Sequence, residues 1–314
     1  MDSFHSVRAE HVTAVYQLLD DIFRKQQGAQ DQQVRTDFPL FFAADNLRNR
    51  RIIRCGEQTI CHAGIWPRVI EIGETRLKTG VIVLVATLPA QRRRGLAARC
   101  MQSLQEQLRS ERYDLGILWT GVPGFYKPLG WTIARPPGAY LHRIEDATRC
   151  LTQHMERVAP FRIEAFATAN HLQGIMALQR QQSVRMLRSV SDFRHLLNLP
   201  KIEVWVVQRK TVDAYIVVGR AVNKVGILEY GGATFDILAG IGELLQSGGL
   251  DGGTPMPIFG GDPELGDHLR SHGIPLAQLE SSKGPGTEMR LILNPQRLTS
   301  TLQERLFVWG LDCA

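Results

Sequence analysis

Between Val81 and Leu108 the sequence reads VIVLVATLPAQRRRGLAARCMQSLQEQL, and few segments restrict a fold as tightly. The apolar and small residues at its start demand a buried strand. Ala97, Cys100, Met101, Leu104 and Leu108 then recur at spacings of three and four, which demands a helix with one buried face. Arg92, Arg93, Arg94 and Gly95 stand between the two. A strand that feeds a helix through a polar loop leaves the first N–H groups of that helix unpaired. With the positive end of the helix dipole they form an anion site suited to a phosphate or pyrophosphate. Gly95 and the small Ala97 admit a bulky anion to the backbone, and the arginines add charge and forked donors. The run is not one of the two common phosphate loops: it is neither GxGxxG nor GxxxxGK[ST]. In isolation it could equally be a solvated basic face.

Around this segment the first half alternates recognisable elements. SFHSVR is a short strand candidate, and Val12, Val15, Tyr16, Leu19, Ile22 and Phe23 mark one face of a helix. The aromatic stretch TDFPLFF leads to RRIIRC, TICHAGIWPRVIEI and TRLKTGVIVLVAT, whose Gly-centred links predict antiparallel hairpins. After the central helix, YDLGILWTG reads as a strand and GFYKPLGWTIA as a turn-rich return. The class is therefore α+β, with a mixed, mostly antiparallel sheet flanked by helices.

The second half follows a looser version of the same order: a helix candidate NHLQGIMALQRQQSVRML, strands IEVWVVQR, DAYIVVGRA and VGILEYGG, then a helix TFDILAGIGELLQ. This predicts a diverged duplication, with domains 1–150 and 151–314 joined around RCLTQHMERVAP. SGGLDGGTPMP reads as a loop. A chain of 314 residues exceeds the usual single core, which agrees with two domains.

Charge is divided unevenly. Residues 1–150 hold 21 Lys/Arg against 15 Asp/Glu, whereas residues 151–314 hold 16 of each, so the basic excess belongs to the half with the arginine run. That excess is modest and lacks interleaved aromatic stacking motifs, which argues against nucleic acid as the partner. The five cysteines are scattered without a CxxC pair, as expected of reduced thiols in a cytoplasmic protein. Cys55, Cys61 and His62 approximate ligand spacing only weakly, so no metal is expected. No apolar stretch is long enough for a membrane span.

The run VATLPAQRRRGLA resembles the acetyl-CoA-binding motif of the GNAT superfamily of N-acetyltransferases, whose signature is Gln or Arg, two residues, Gly, one residue, then Gly or Ala. Arg92, Arg93, Arg94, Gly95, Leu96 and Ala97 fill it. GFYKPLGW, some thirty residues later, is similar to the superfamily's tyrosine segment. The resemblance implies that amides of Arg93 to Ala98 bind the coenzyme A pyrophosphate. It also implies main-chain bonds to pantetheine from Val83, Val85 and Thr87, with Gly121 and Val122 facing them, and Tyr126 as the general acid for the departing thiolate. The implied reaction is transfer of an acetyl group from acetyl-CoA to a primary amine of a small molecule or peptide. The alternative is a non-catalytic acyl-CoA-binding regulatory module.

The tandem arrangement resembles the first two domains of the enhanced-intracellular-survival (Eis-like) acetyltransferases without their sterol-carrier-like third domain. The second domain, lacking the arginines before its TFDILAGIGELLQ helix, is expected to serve packing, substrate shaping or homo-oligomerisation. No base is nominated: His62, Asp37, Asp45 and a water chain all stand as alternatives. The acceptor amine is unknown. Phe38, Phe41, Phe42 and Trp66 are candidates either for the acceptor wall or for the core.

Overall fold

The computed structural model describes residues 2–29, 31–134, 138–141, 144–145, 160–221, 224–254, 256–259, 263–271, 273–274, 276–278, 287–308 and 311. The chain divides into two compact units. One comprises Met1–Ile70, Thr75–Ala134 and Gly286–Ser300, and the other comprises Glu71–Glu74, Arg135–Pro285 and Thr301–Ala314.

The first unit opens with β1 (Asp2–Ser6), α1 (Val12–Phe23) and the single turn α2 (Val34–Asp37). Val15, Leu18 and Leu19 form the buried stripe of α1. Asp37 then receives Arg24 through Nε at 2.7 Å and Nη2 at 2.6 Å, an almost fully buried pair that ties α2 back to the end of α1. β2 (Arg50–Cys55), β3 (Gln58–Ile72) and β4 (Thr75–Thr87) follow as hairpins. The central helix α3 (Leu96–Ser110) buries Leu96, Cys100, Met101, Leu104 and Leu108, so its apolar spacing is realised as packing. β5 (Leu115–Thr120), α4 (Pro123–Tyr126) and β6 (Thr132–Ile133) complete this part of the chain, and the segment read as a turn-rich return thus includes a helical turn.

The second unit contains β7 (Gly138–Leu141), β8 (Arg162–Ala165), α5 (Thr168–Gln181), β9 (Val184–Met186) and α6 (Val190–Leu196). It continues with β10 (Ile202–Gln208), β11 (Val212–Ala221), β12 (Lys224–Gly232), α7 (Thr234–Gln246), β13 (Met256–Phe259), α8 (Pro263–Ser271) and β14 (Ala277–Gln278). Its four-stranded sheet has the order β12-β11-β10-β8, which repeats the order β4-β3-β2-β1 of the first unit. Two expectations are corrected here. The helix candidate ends at Gln181 because Gln182 turns to ψ 134, and its side chain donates to the carbonyl of Tyr230 at 3.0 Å; Val184–Met186 is a strand. The glycine-rich loop gives way to strand at Met256. The linker placed around RCLTQHMERVAP lies almost wholly outside the described residues.

The last strand, β15 (Thr287–Ile292), returns to the first unit. It runs antiparallel to β5, from Thr287 opposite Thr120 to Ile292 opposite Leu115, and pairs β6 on its other side. Because β5 is bound to β4 on one edge only, β15 supplies the hydrogen bonds its other edge lacks. Asp114 anchors the return. Its carboxylate accepts the Lys78 amide at 2.8 Å, Asn294 at 3.0 Å and Arg297 at 3.2 Å. A boundary near residue 150 therefore does not describe this unit, whose sheet is closed by residues 287–292.

Candidate active site

β4 and β5 are parallel neighbours only from Thr79–Leu115 to Val81–Ile117, although β4 continues to Thr87 and β5 to Thr120. Beyond Val81 the two strands part. Val83, Val85 and Thr87 lie along β4 at this opening, all partly exposed. Gly121 and Val122 follow the end of β5, and Val122 is 62% exposed, the most exposed of the large apolar side chains described. Leu84 has a φ of 54°, in the left-handed region that a branched side chain rarely enters. A left-handed residue within a strand makes a bulge that changes the alternation of its side chains. Ile82 and Val85, three apart, both pack in the cluster that contains Cys100 and Met101 of α3.

The arginine loop descends from this bulge to α3. Arg93 and Gly95 are both left-handed, with φ of 64° and 72°. Gly95 is the residue before the helix, and no side chain caps it. Arg99 is the first amide to close on the helix, donating to Gly95 at 3.0 Å, so among the described residues the amides of Leu96, Ala97 and Ala98 have no acceptor. Alternating left-handed and ordinary backbone of this kind turns successive N–H groups toward one concavity. The three arginine side chains differ. Arg94 is held by Asp2 at 2.6 Å and by Gln91, and Arg92 Nε lies 3.3 Å from the carbonyl of Thr87. Arg93 projects exposed, with no side-chain partner among the described residues. These features fit a pyrophosphate on the helix N-terminus: free amides, no acidic residue in the first turn, and one uncommitted arginine.

Tyr126 ends α4, with 6% exposure, edge-on to Phe125 at 4.7 Å and to Trp131 at 6.4 Å. Burial pushes its phenol up to about 12, against a smaller opposing effect of the Thr120 hydroxyl. The phenol thus stays protonated throughout the neutral range.

On the other face of the sheet His62 is fully buried and donates from Nδ1 to the carbonyl of Leu84 at 2.8 Å. Burial holds its pKa down at about 3. Cys61, the preceding residue on β3, faces α3 and lies 3.9 Å from Cys100, so Cys61 and His62 point to opposite sides. No group of His, Cys, Asp or Glu suited to a metal exists among the described residues. Asp37 is committed to Arg24, and Asp45 is exposed on a 3₁₀ turn. Phe41, Phe42 and Trp66 are buried, with Arg68 stacked on Trp66 at 4.7 Å. Phe38 is partly exposed. Arg50, which the sequence analysis did not single out, is buried against the rings of Phe41 and Phe42.

Residues 3–134 match the acetyltransferase (GNAT) domain family. This segment is a GNAT domain. Several solved structures share the fold across both units. A GCN5-related N-acetyltransferase from Kribbella flavida aligns over 95% of this chain and 72% of its own, with a TM-score of 0.62 and 12% identity. Eis1 from Mycobacterium abscessus aligns over 94% and 74%, with a TM-score of 0.54 and 17% identity, consistent with an Eis-like arrangement. Saccharomyces cerevisiae N-myristoyltransferase, solved with bound myristoyl-CoA, aligns over 93% and 79%, with a TM-score of 0.56 and 9% identity. No curated protein matches the sequence. In the second unit α7 follows β12 as α3 follows β4, but its first turn carries Asp236, paired with Arg209 at 2.6 Å. An acid at that point opposes anion binding where the GNAT domain has arginines. No helix among the described residues is long and apolar enough to cross a membrane.

Proposed function

We propose that the GNAT domain is an acetyl-CoA-dependent N-acetyltransferase that acts on a primary amine. Two observations support the reading: the helix that follows the parting strand β4 begins with amides that have no acceptor, and Tyr126, soon after β5, is a buried, protonated phenol. Arg93, Gly95, Leu96, Ala97 and Ala98 hold the pyrophosphate of the cosubstrate, assisted by Arg92 and Arg94. Val83, Val85 and Thr87, with Gly121 and Val122 across the gap, receive its pantetheine. The neutral amine attacks the thioester carbonyl, a C–N bond forms, the C–S bond breaks, and the amine proton passes to solvent. The leaving sulfur takes up a hydrogen bond, then a proton, from Tyr126, which regains one from water. The second unit serves packing, shaping of the acceptor site or self-association, as its Asp236-bearing helix start suits no phosphate.

The deciding experiment is isothermal titration of acetyl-CoA into the protein and into Gly95→Trp, followed by thiol release with a panel of amines. Micromolar binding that the variant loses, with amine-dependent thiol release, is the expected result. Binding without release for any amine would favour the acyl-CoA-binding module, and no binding at all would end the reading.

A further inference from the structure

Arg50 opens β2 with its side chain 1% exposed. Among the described residues its Nε and Nη1 have no hydrogen-bond acceptor, and no carboxylate pairs with it. What stands against it is two aromatic faces, the guanidinium carbon lying 5.6 Å from the Phe41 centroid and 5.3 Å from that of Phe42. A cation–π contact recovers a fraction of the cost of burying an ion, and buried arginines are otherwise paired with anions. Burial draws its pKa down to about 10, against a smaller opposing effect of Tyr16.

The placement is built into the sheet. Arg50 pairs with Gly64 across β2 and β3, and a Cβ on Gly64 would lie 2.5 Å from Phe41 Cζ and 3.1 Å from Arg50 Cγ. Glycine here leaves room first for the Phe41 ring and then for the Arg50 stem beside it. Ile52 pairs with His62 in the same ladder, which puts Arg50, Gly64 and His62 on one face. His62 spends its Nδ1 proton on Leu84, so its Nε2 carries a lone pair, and this buried atom has no partner either. One face beside the β4 bulge therefore holds two unsatisfied N–H donors bearing positive charge and one unsatisfied acceptor.

The complement of that pattern is an anion and an N–H donor in one small molecule. We infer that Arg50 and His62 form the acceptor subsite, and that the acceptor is an α-amino acid, its carboxylate on the Arg50 guanidinium and its amine hydrogen-bonded to His62 Nε2. This rests on the acetyltransferase reading and names its substrate class. His62 is here a positioning residue, tying the amine to the strand that carries the thioester. Entry requires the ring of Phe42, 9% exposed and edge-on to Tyr16 at 4.9 Å, to swing aside. The aromatic surroundings favour an apolar side chain on the amino acid.

Matched probes test this without any variant. L-phenylalanine and L-methionine are titrated calorimetrically against 2-phenylethylamine and 3-(methylthio)propylamine, which lack only the carboxylate, with coenzyme A present and again without it. Each amino acid should bind at least about ten-fold tighter than its partner amine. Arg50→Met should reduce that preference to about two-fold at unchanged coenzyme A affinity, and Arg50→Lys should retain part of it. Equal binding within the pairs, no binding of either amino acid, or a preference surviving in Arg50→Met overturns the inference. Thiol release with carboxylate-free amines as good substrates would sink it while leaving the acetyltransferase reading intact. Loss of coenzyme A binding would remove that reading instead, and the titration without coenzyme A would still judge the amino-acid site.

Discussion

His62 Nδ1 stands 2.8 Å from the carbonyl oxygen of Leu84, the residue whose left-handed backbone interrupts β4. The bond joins a fully buried imidazole to the point where β4 has left β5, so the neutral ring and the bulge support each other.

That relationship makes stability depend on pH. The His62 pKa is about 3 in the folded chain, against roughly 6.5 when unfolded. Between those values the unfolded chain binds the extra proton, so stability is complete above pH ~6.5 and falls as pH drops toward 3. A melting series from pH 7.5 to 4.5 should show the wild type losing more than His62→Gln, relative to each protein's value at pH 7.5. Parallel curves would mean that His62 does not carry the dependence.

The arginines should be unequal. Arg94 is tied to Asp2 and Gln91, whereas Arg93 is exposed and uncommitted. Arg93→Ala is expected to weaken coenzyme A binding several-fold more than Arg94→Ala, and the difference should shrink at high salt. Gly95→Ala forces a Cβ into the left-handed region and should cost about 1 kcal/mol of stability beside any loss of affinity. Denaturant midpoints with coenzyme A titrations separate the two effects.

Tyr126→Phe should lower kcat by about 100-fold, in the range usual for a lost proton donor, with little change in acetyl-CoA affinity. Since burial pushes the phenol up to about 12, turnover should show no descending limb from its ionisation below pH ~11. A limb near pH 9 that vanished in the phenylalanine variant would contradict the assigned environment.

The returning strand should be indispensable. Asp114 is 2% exposed and receives bonds from Lys78, Asn294 and Arg297. Asp114→Ala leaves several of those donors without their acceptor and should cost about 2–4 kcal/mol in chemical denaturation. A chain cut after residue 285 should bind an amyloid dye or aggregate, because β5 keeps a bare edge.

Much of the fold could be read in advance because its elements are local. The period-two runs of β2 to β4 and the three-four spacing of α3 are properties of neighbouring residues, and the loop between them carries its charge in plain view. β15 was hidden for the opposite reason. TEMRLI has the pattern of a strand, but nothing in it names a partner over 160 residues upstream. Leu84 gives no sign of its backbone, since leucine is not a residue that requires positive φ. Arg50 looks like one more member of the basic stretch Arg48 to Arg54; only the fold, with Gly64 opposite and two phenylalanines above, sets it apart from its solvated neighbours.

The return of β15 has a consequence during synthesis. The sheet of the GNAT domain cannot close when its first 134 residues have left the ribosome, because the strand that covers β5 ends at Ile292. At typical elongation rates the nascent chain waits on the order of ten seconds for that strand. Throughout this interval β5 keeps an uncovered edge, and a chaperone or a sister chain reaching it first competes directly with Thr287–Ile292.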